Sequence, residues 1–131
     1  MKFFLSYRFT GEDPIVLEQT LSQIKAALES AGHSVFCSFW SEQHFRDNNF
    51  SNKQILDYAL ENLDSSDIYF AFIKSSDKSE GMLLEAGYAY AKKKPIWVAI
   101  KNGVKTTFLT ELAEKVIEFK ILDDLSQKLS K

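Results

Sequence analysis

A glutamate embedded among small and apolar residues is the feature of this sequence best suited to chemistry. Glu85 stands about one turn inside the stretch Ser79-Glu80-Gly81-Met82-Leu83-Leu84-Glu85-Ala86-Gly87-Tyr88-Ala89-Tyr90-Ala91. Burying a carboxylate between Leu84, Ala86 and Gly87 is costly unless something uses it. The positive end of a helix here would favour the ionised form, which suits a nucleophile or a stabiliser of developing positive charge. Gly87 leaves room for close packing or a ligand ring, and Tyr88 could stack on that ring. Ser79 and the N–H groups near Gly81 form an anion site at the helix start. The alternative is a glutamate that meets the helix dipole and points to water. The residues alone leave these two readings even.

Two further groups are candidates for binding. Ser6-Tyr7-Arg8 ends the first apolar run, where a guanidinium can hold a phosphate or carboxylate in bidentate geometry. An Arg8 paired with Glu12 or Asp13 is the simpler expectation for that residue. Phe45-Arg46-Asp47-Asn48-Asn49-Phe50 sets polar groups, Asp47 among them, between aromatics and could form a lid; a plain surface loop is equally economical. Other signatures are missing. There is no G-x-G-x-x-G, and Gly103-Val104-Lys105-Thr106 lacks the first glycine and the G-K-[ST] order of a phosphate-binding loop. His33 and His44 read as exposed loop histidines with no tie to a nucleophile. The single cysteine, Cys37, excludes an internal disulfide and reads as a buried small hydrophobe; no metal site is expected.

The elements that must position these residues alternate along the chain. Lys2 to Ser6 reads as a buried strand. Asp13-Pro14 starts a helix that carries Leu17, Leu21, Ile24 and Leu28 inward and ends at Gly32. Ser34 to Phe39 is a second strand, followed by a polar and aromatic loop from Trp40 to about Phe50. A helix over Ser51 to Asp64 turns Ile55, Ala59, Leu60 and Leu63 inward. The unbroken apolar run Ile68 to Ile73 fits a central parallel strand buried on both faces. A loop over Ser75 to Glu80 leads into a helix from Gly81 to Lys93, and Pro95 to Ile100 is the fourth strand. A short helix near Thr107 to Lys115, a strand over Val116 to Phe119 and a helical tail from Leu122 complete the chain. This alternation predicts one α/β domain over residues 1–131: a doubly wound, flavodoxin-like or Rossmann-like five-stranded parallel sheet with helices on both faces. Such sheets hold ligands outside the carboxyl ends of their strands, where the strand order reverses.

Composition narrows the partners. The chain has 131 residues, 45% hydrophobic and 26% charged, and a formal net charge of -2. That charge gives no support for binding duplex nucleic acid. The run Lys92-Lys93-Lys94 reads as a solvated helix end. No stretch approaches a membrane span, and the first residues are too short for a secretory segment, so the cytoplasm is the expected compartment and no membrane partner is expected.

These residues resemble the nucleoside 2-deoxyribosyltransferase-like family, which includes transferases and nucleotide N-hydrolases. The resemblance runs from Lys2 to about Asn102. It is densest at Ser6-Tyr7-Arg8, similar to a Ser-x-Arg element on the family's first strand, and at Ser79-x-Gly81-x-x-x-Glu85-x-Gly87-Tyr88-Ala89, followed by Lys94-Pro95-Ile96. It implies that Glu85 attacks C1′ of a nucleoside or nucleoside monophosphate, with Ser79 and Arg8 at the 5′ end of the sugar. It implies no metal or organic cofactor, and a homo-oligomer in which the loop near Thr106 could reach a neighbouring site. The sequence departs from the pattern where the family carries an Asp eight residues before the Asp that opens the third strand. Counting back from Asp67, Ala59 stands there, with Asp57 and Glu61 nearby. A second resemblance is to TIR domains: Phe4-Leu5-Ser6-Tyr7-Arg8 with Gly11-Glu12-Asp13 is similar to their opening box, and Arg46-Asp47 to the loop after their second strand. It implies either cleavage of NAD or a non-catalytic nucleotide-binding or assembly module. The Trp-Cys-x-x-Glu motif of that family is absent.

Overall fold

The computed structural model describes residues 1–106 and 108–131. Five strands, β1 (Lys2–Ser6), β2 (Ser34–Phe36), β3 (Ile68–Ile73), β4 (Ile96–Lys101) and β5 (Lys115–Phe119), form one sheet in the order β2-β1-β3-β4-β5. Every pairing is parallel. The doubly wound α/β fold expected from the alternation is the one observed. The strand order reverses between β1 and β3, which makes the carboxyl ends of that pair the natural ligand crevice.

Helices cover both faces. On one, α1 (Pro14–Ser30) and α6 (Leu122–Leu129) pack Leu17, Leu21, Ile24, Leu28, Leu125 and Leu129 against Phe3, Leu5, Phe70 and Phe72. On the other, α3 (Asn52–Asp64), α4 (Glu80–Ala91) and α5 (Leu109–Leu112) bring Ala59, Leu63, Met82, Ala86, Ala89 and Leu109 onto Phe4, Tyr69, Ala71 and Val98. Alternate residues of β1 therefore serve opposite cores, and Ser6 falls on the α4 side with Phe4.

Local chemistry explains the helix boundaries. Asp13 caps α1 by accepting from the Ile15 and Val16 amides, with Pro14 at the first helical position. At its other end Gly32, at φ +92°, donates to the Glu29 carbonyl while His33 donates to Leu28, a Schellman closure that a glycine adopts without strain. Ser51 and Gln54 form a reciprocal capping box on α3. Lys94 follows α4 and donates to the carbonyls of Asp64 and Ser66, tying the run of lysines to the end of α3.

Several expectations need correction. The second strand ends at Phe36, because its only partner is β1, whose register with it stops at Phe4. Cys37 then turns inward, 4% exposed, and a 3-10 turn over Ser38–Ser41 runs into α2 (Glu42–Asp47) where a loop was expected. The driving contact is Phe45, buried against the rings of Phe50 and Tyr58. His44 is accordingly on a helix, and His33 is half-buried beside Phe3. The short fifth helix covers only Leu109–Leu112, since β5 already begins at Lys115; Thr107, at its expected start, lies outside the described residues. Among the described residues no helix is long and apolar enough to cross a membrane.

Candidate active site

The carboxyl ends of β1 and β3 and the first turns of α4 bring the site together. Ser79 caps α4, its hydroxyl accepting from the Met82 amide at 3.3 Å. Glu85 follows on the face turned to the sheet, and its Oε1 accepts from the Ser6 hydroxyl at 2.7 Å. Ser6 is 2% exposed and is in turn reached by the Tyr69 hydroxyl of β3 at 2.9 Å. Among the described residues, the one fully buried side-chain polar atom left without a partner is the Ser126 hydroxyl. No hydrogen bond from a described residue reaches Glu85 Oε2.

Burial pushes the Glu85 carboxyl up from its ordinary 4.5 to about 7, and the Ser6 hydroxyl draws it part of the way back. Among the described residues no cation offsets the burial. The ionisable neighbours that feel its charge are Tyr7, Cys37 and Tyr69, all shifted upward chiefly by burial. A carboxyl in this setting is poised between acid and carboxylate at neutral pH, the range in which such groups act as nucleophiles or general bases.

Beside it, over the ends of β1 and β3, lies a pocket of about 290 Å3. Its interior is apolar, with Leu17, Phe72, Ile73 and Met82, while Arg8, Lys74, Lys78 and Lys105 supply four cations to its wall against Glu12 and Asp77. Glu12 is held between Arg8 at 3.2 Å and Lys74 at 2.6 Å, with its side chain only 10% exposed. Asp77 approaches Arg8 at 3.8 Å. Glu85 does not itself line this pocket. Tyr7 joins the two parts, lining the pocket and lying close enough to Glu85 to feel its charge.

The residues singled out in the sequence thus divide. Ser6 and Glu85 are in contact; Arg8 and Ser79 line the adjoining pocket; Gly81 is the second residue of α4, where helical geometry leaves backbone N–H groups without intrahelical acceptors. Tyr88 is directed elsewhere, donating its hydroxyl to the Asp64 carboxylate at 2.7 Å. Asp47 is exposed at the end of α2, accepting from Gln43 at 2.7 Å. Ala59 is packed in the core, Asp57 is exposed and paired with Lys53, and Glu61 is exposed. The Arg8–Glu12 pair expected from the sequence is the one observed, while sequence reasoning missed Tyr69 and the pocket lysines, Lys74 on the other oxygen of Glu12 among them. One signal was available for Tyr69, the sole side-chain polar group in the run Ile68-Tyr69-Phe70-Ala71-Phe72-Ile73. Among the described residues no cluster of His, Cys, Asp and Glu could hold a metal ion.

A sequence model of nucleoside 2-deoxyribosyltransferases matches residues 11–119, a span that includes the whole Ser79 to Tyr88 stretch. Among solved structures, the CMP N-glycosidase BcmB of Clostridium botulinum superposes with a TM-score of 0.73 at 19% identity, covering 98% of this chain and 97% of that one. The 2-deoxyribosyltransferase of Bacillus psychrosaccharolyticus gives 0.69 at 21% identity over 98% and 96%. A response regulator receiver domain from Clostridium thermocellum gives 0.52 at 17% identity over 98% and 90%. At these identities the structural likenesses speak for the fold alone, which hosts unrelated functions. No curated protein sequence matches the chain.

Proposed function

The chain belongs to the nucleoside 2-deoxyribosyltransferase family, and on that premise we propose that it breaks the N-glycosidic bond of a nucleoside or nucleoside 5′-monophosphate with Glu85 as nucleophile. One observation carries this reading: a largely buried carboxylate at the reversal point of the sheet that, among the described residues, is compensated by a single hydroxyl and no cation. Two of the solved structures it resembles are an N-glycosidase of CMP and a 2-deoxyribosyltransferase. Attack by Oε2 on C1′ forms the glycosyl ester as the base departs with the electron pair of the C–N bond and takes a proton from water. Water, or a second base, then attacks C1′, the C1′–Oε2 bond breaks to restore the carboxylate, and the proton of the attacking group passes to solvent. The Ser6 hydroxyl holds the carboxylate ionised and oriented for the first step. The cations of the neighbouring pocket, Arg8 with Lys74, Lys78 and Lys105, together with Ser79 and the N–H groups at the start of α4, would receive the 5′ end of the sugar and favour a phosphate there.

A second reading is favoured by Ala59. With a core methyl where the family carries an aspartate, and with Asp57 and Glu61 both exposed, no carboxyl of α3 is on hand to protonate a departing base or to hold it. On that reading the chain binds a nucleotide without turning it over. The test is to incubate the protein and its Glu85→Gln variant with nucleosides, nucleoside monophosphates and NAD, following free base by chromatography. Base released by the wild type alone supports cleavage through Glu85. Saturable binding of intact substrate by both proteins supports the second reading.

A further inference from the structure

The Ser6 hydroxyl lies between two partners, Glu85 Oε1 at 2.7 Å and the Tyr69 hydroxyl at 2.9 Å. Tyr69 has a further acceptor within reach, the Met82 carbonyl at 3.1 Å. Each hydroxyl carries one proton and can also accept, so this chain can run in either direction. With Glu85 ionised, Tyr69 donates to Ser6 and Ser6 donates to the carboxylate. With Glu85 protonated, the carboxyl donates to Ser6, Ser6 to Tyr69, and Tyr69 to the Met82 carbonyl. Neither state strands a buried hydroxyl, which is what allows a shielded carboxyl to change charge without local rearrangement.

We infer that Tyr69 is a positioning residue for Glu85: acting through Ser6, it directs a proton toward the carboxylate and so sets the pH range in which Glu85 is ionised. Its ring is fully buried and stacks on Phe4 with centroids 5.9 Å apart. A phenylalanine would serve that packing equally well, so the hydroxyl needs its own explanation. Among the described residues the carboxyl has no other compensation. The groups facing it are Tyr7 from the end of β1, Cys37 from the end of β2 and Tyr69 from β3, all uncharged at neutral pH, while α3 offers the apolar Ala59, Leu60 and Leu63 to the shared core. A second donor behind Ser6 polarises the Ser6 hydroxyl and strengthens its hold on the ionised form. The kinetic consequence rests on Glu85 being the reacting group; the ionisation itself does not.

The test titrates the Glu85 side-chain carboxyl by 13C NMR in wild type, Tyr69→Phe, Ser6→Ala and the double variant, with Glu85→Gln used to assign the signal. The wild-type midpoint is expected near 7. Ser6→Ala should raise it by about one pH unit and Tyr69→Phe by about half as much. In the Ser6→Ala background, Tyr69→Phe should add nothing, because the link to Glu85 is already cut. The acid limb of kcat/KM should move with the midpoint. A Tyr69→Phe midpoint equal to or below the wild-type value overturns the inference, as does an equal shift in both backgrounds, which would mean that Tyr69 acts without Ser6. Should Tyr69→Phe alone fail to fold, Ser6→Ala against Ser6→Thr decides: retention of the wild-type midpoint by Ser6→Ala overturns it. The expected NMR shifts without any base release would count against Glu85 as nucleophile and leave the role of Tyr69 standing.

Discussion

Glu12 and Glu85 lie at the same edge of the same sheet, and both are largely shielded from water, yet their surroundings are opposite. Glu12 sits between Arg8 and Lys74, each of its oxygens facing a cation. Among the described residues Glu85 has one hydroxyl and no cation, and burial raises its carboxyl to about 7. The first arrangement neutralises a charge and fixes a loop. The second leaves a charge only partly compensated, which is a standing cost to the fold. In the proposed function such a cost at the crevice goes with the acting group, while the paired glutamate serves the scaffold of the pocket.

Breaking the Glu85 side of this contrast should have the largest effect. Glu85→Gln keeps the shape and an acceptor for Ser6 but removes the proposed nucleophile, and base release should fall by at least about a thousandfold. Turnover within tenfold of wild type would show that another group attacks. In the wild type, kcat/KM should rise as pH increases through about 7, because the carboxylate is the attacking form in the proposed mechanism.

The same variant should reveal the cost in stability. Glu85 holds its proton more tightly folded than unfolded, so its contribution is full below about pH 4.5 and is lost as pH rises through about 7. Glu85→Gln should therefore be more stable than wild type at pH 8, by up to about 3 kcal/mol, and no more stable at pH 4. Denaturant melts at the two pH values check this; equal stability differences at both would mean that the carboxyl is not shifted in the folded state.

Cutting the ionic side should act on binding. Arg8→Ala should weaken a nucleoside 5′-monophosphate by about 10- to 100-fold while changing the matching nucleoside little, measured as KM or by calorimetry. Equal losses for both would place Arg8 away from the 5′ end. A still smaller effect is expected away from either glutamate. Asp13→Ala removes the cap of α1 and should lower stability by about 1 kcal/mol with no change in the pH midpoint of activity.

Much of the framework is legible in the sequence because its signals are local. The run Ile68 to Ile73 announces a strand buried on both faces, and Asp13-Pro14 and Gly32 bracket α1 by capping chemistry alone. The short length of β2 is not legible, since it depends on where β1 stops offering a partner. Nor is α2, whose six residues owe their helix to the packing of Phe45 onto Phe50 and Tyr58 rather than to propensity. In the site, Glu85 and Ser6 stand out by type and place, but their contact spans 79 positions and becomes visible only in the fold. Tyr69 hides inside an apolar strand, and Glu12, read as a partner for Arg8, gives no hint that Lys74 closes on its other oxygen. Tyr88 shows the converse: its aromatic ring beside the motif suggests stacking, while its hydroxyl is engaged by Asp64.

The most direct test of Glu85 as nucleophile is to trap the ester. A nucleoside monophosphate bearing fluorine at C2′ slows both steps by disfavouring positive charge at C1′, so the glycosyl-enzyme should accumulate and register by intact mass and peptide mapping. The expected result is a gain equal to one fluorinated sugar phosphate, on the peptide containing Glu85, in the wild type and absent from Glu85→Gln. Release of the base with no adduct, or an adduct on any other residue, would contradict it.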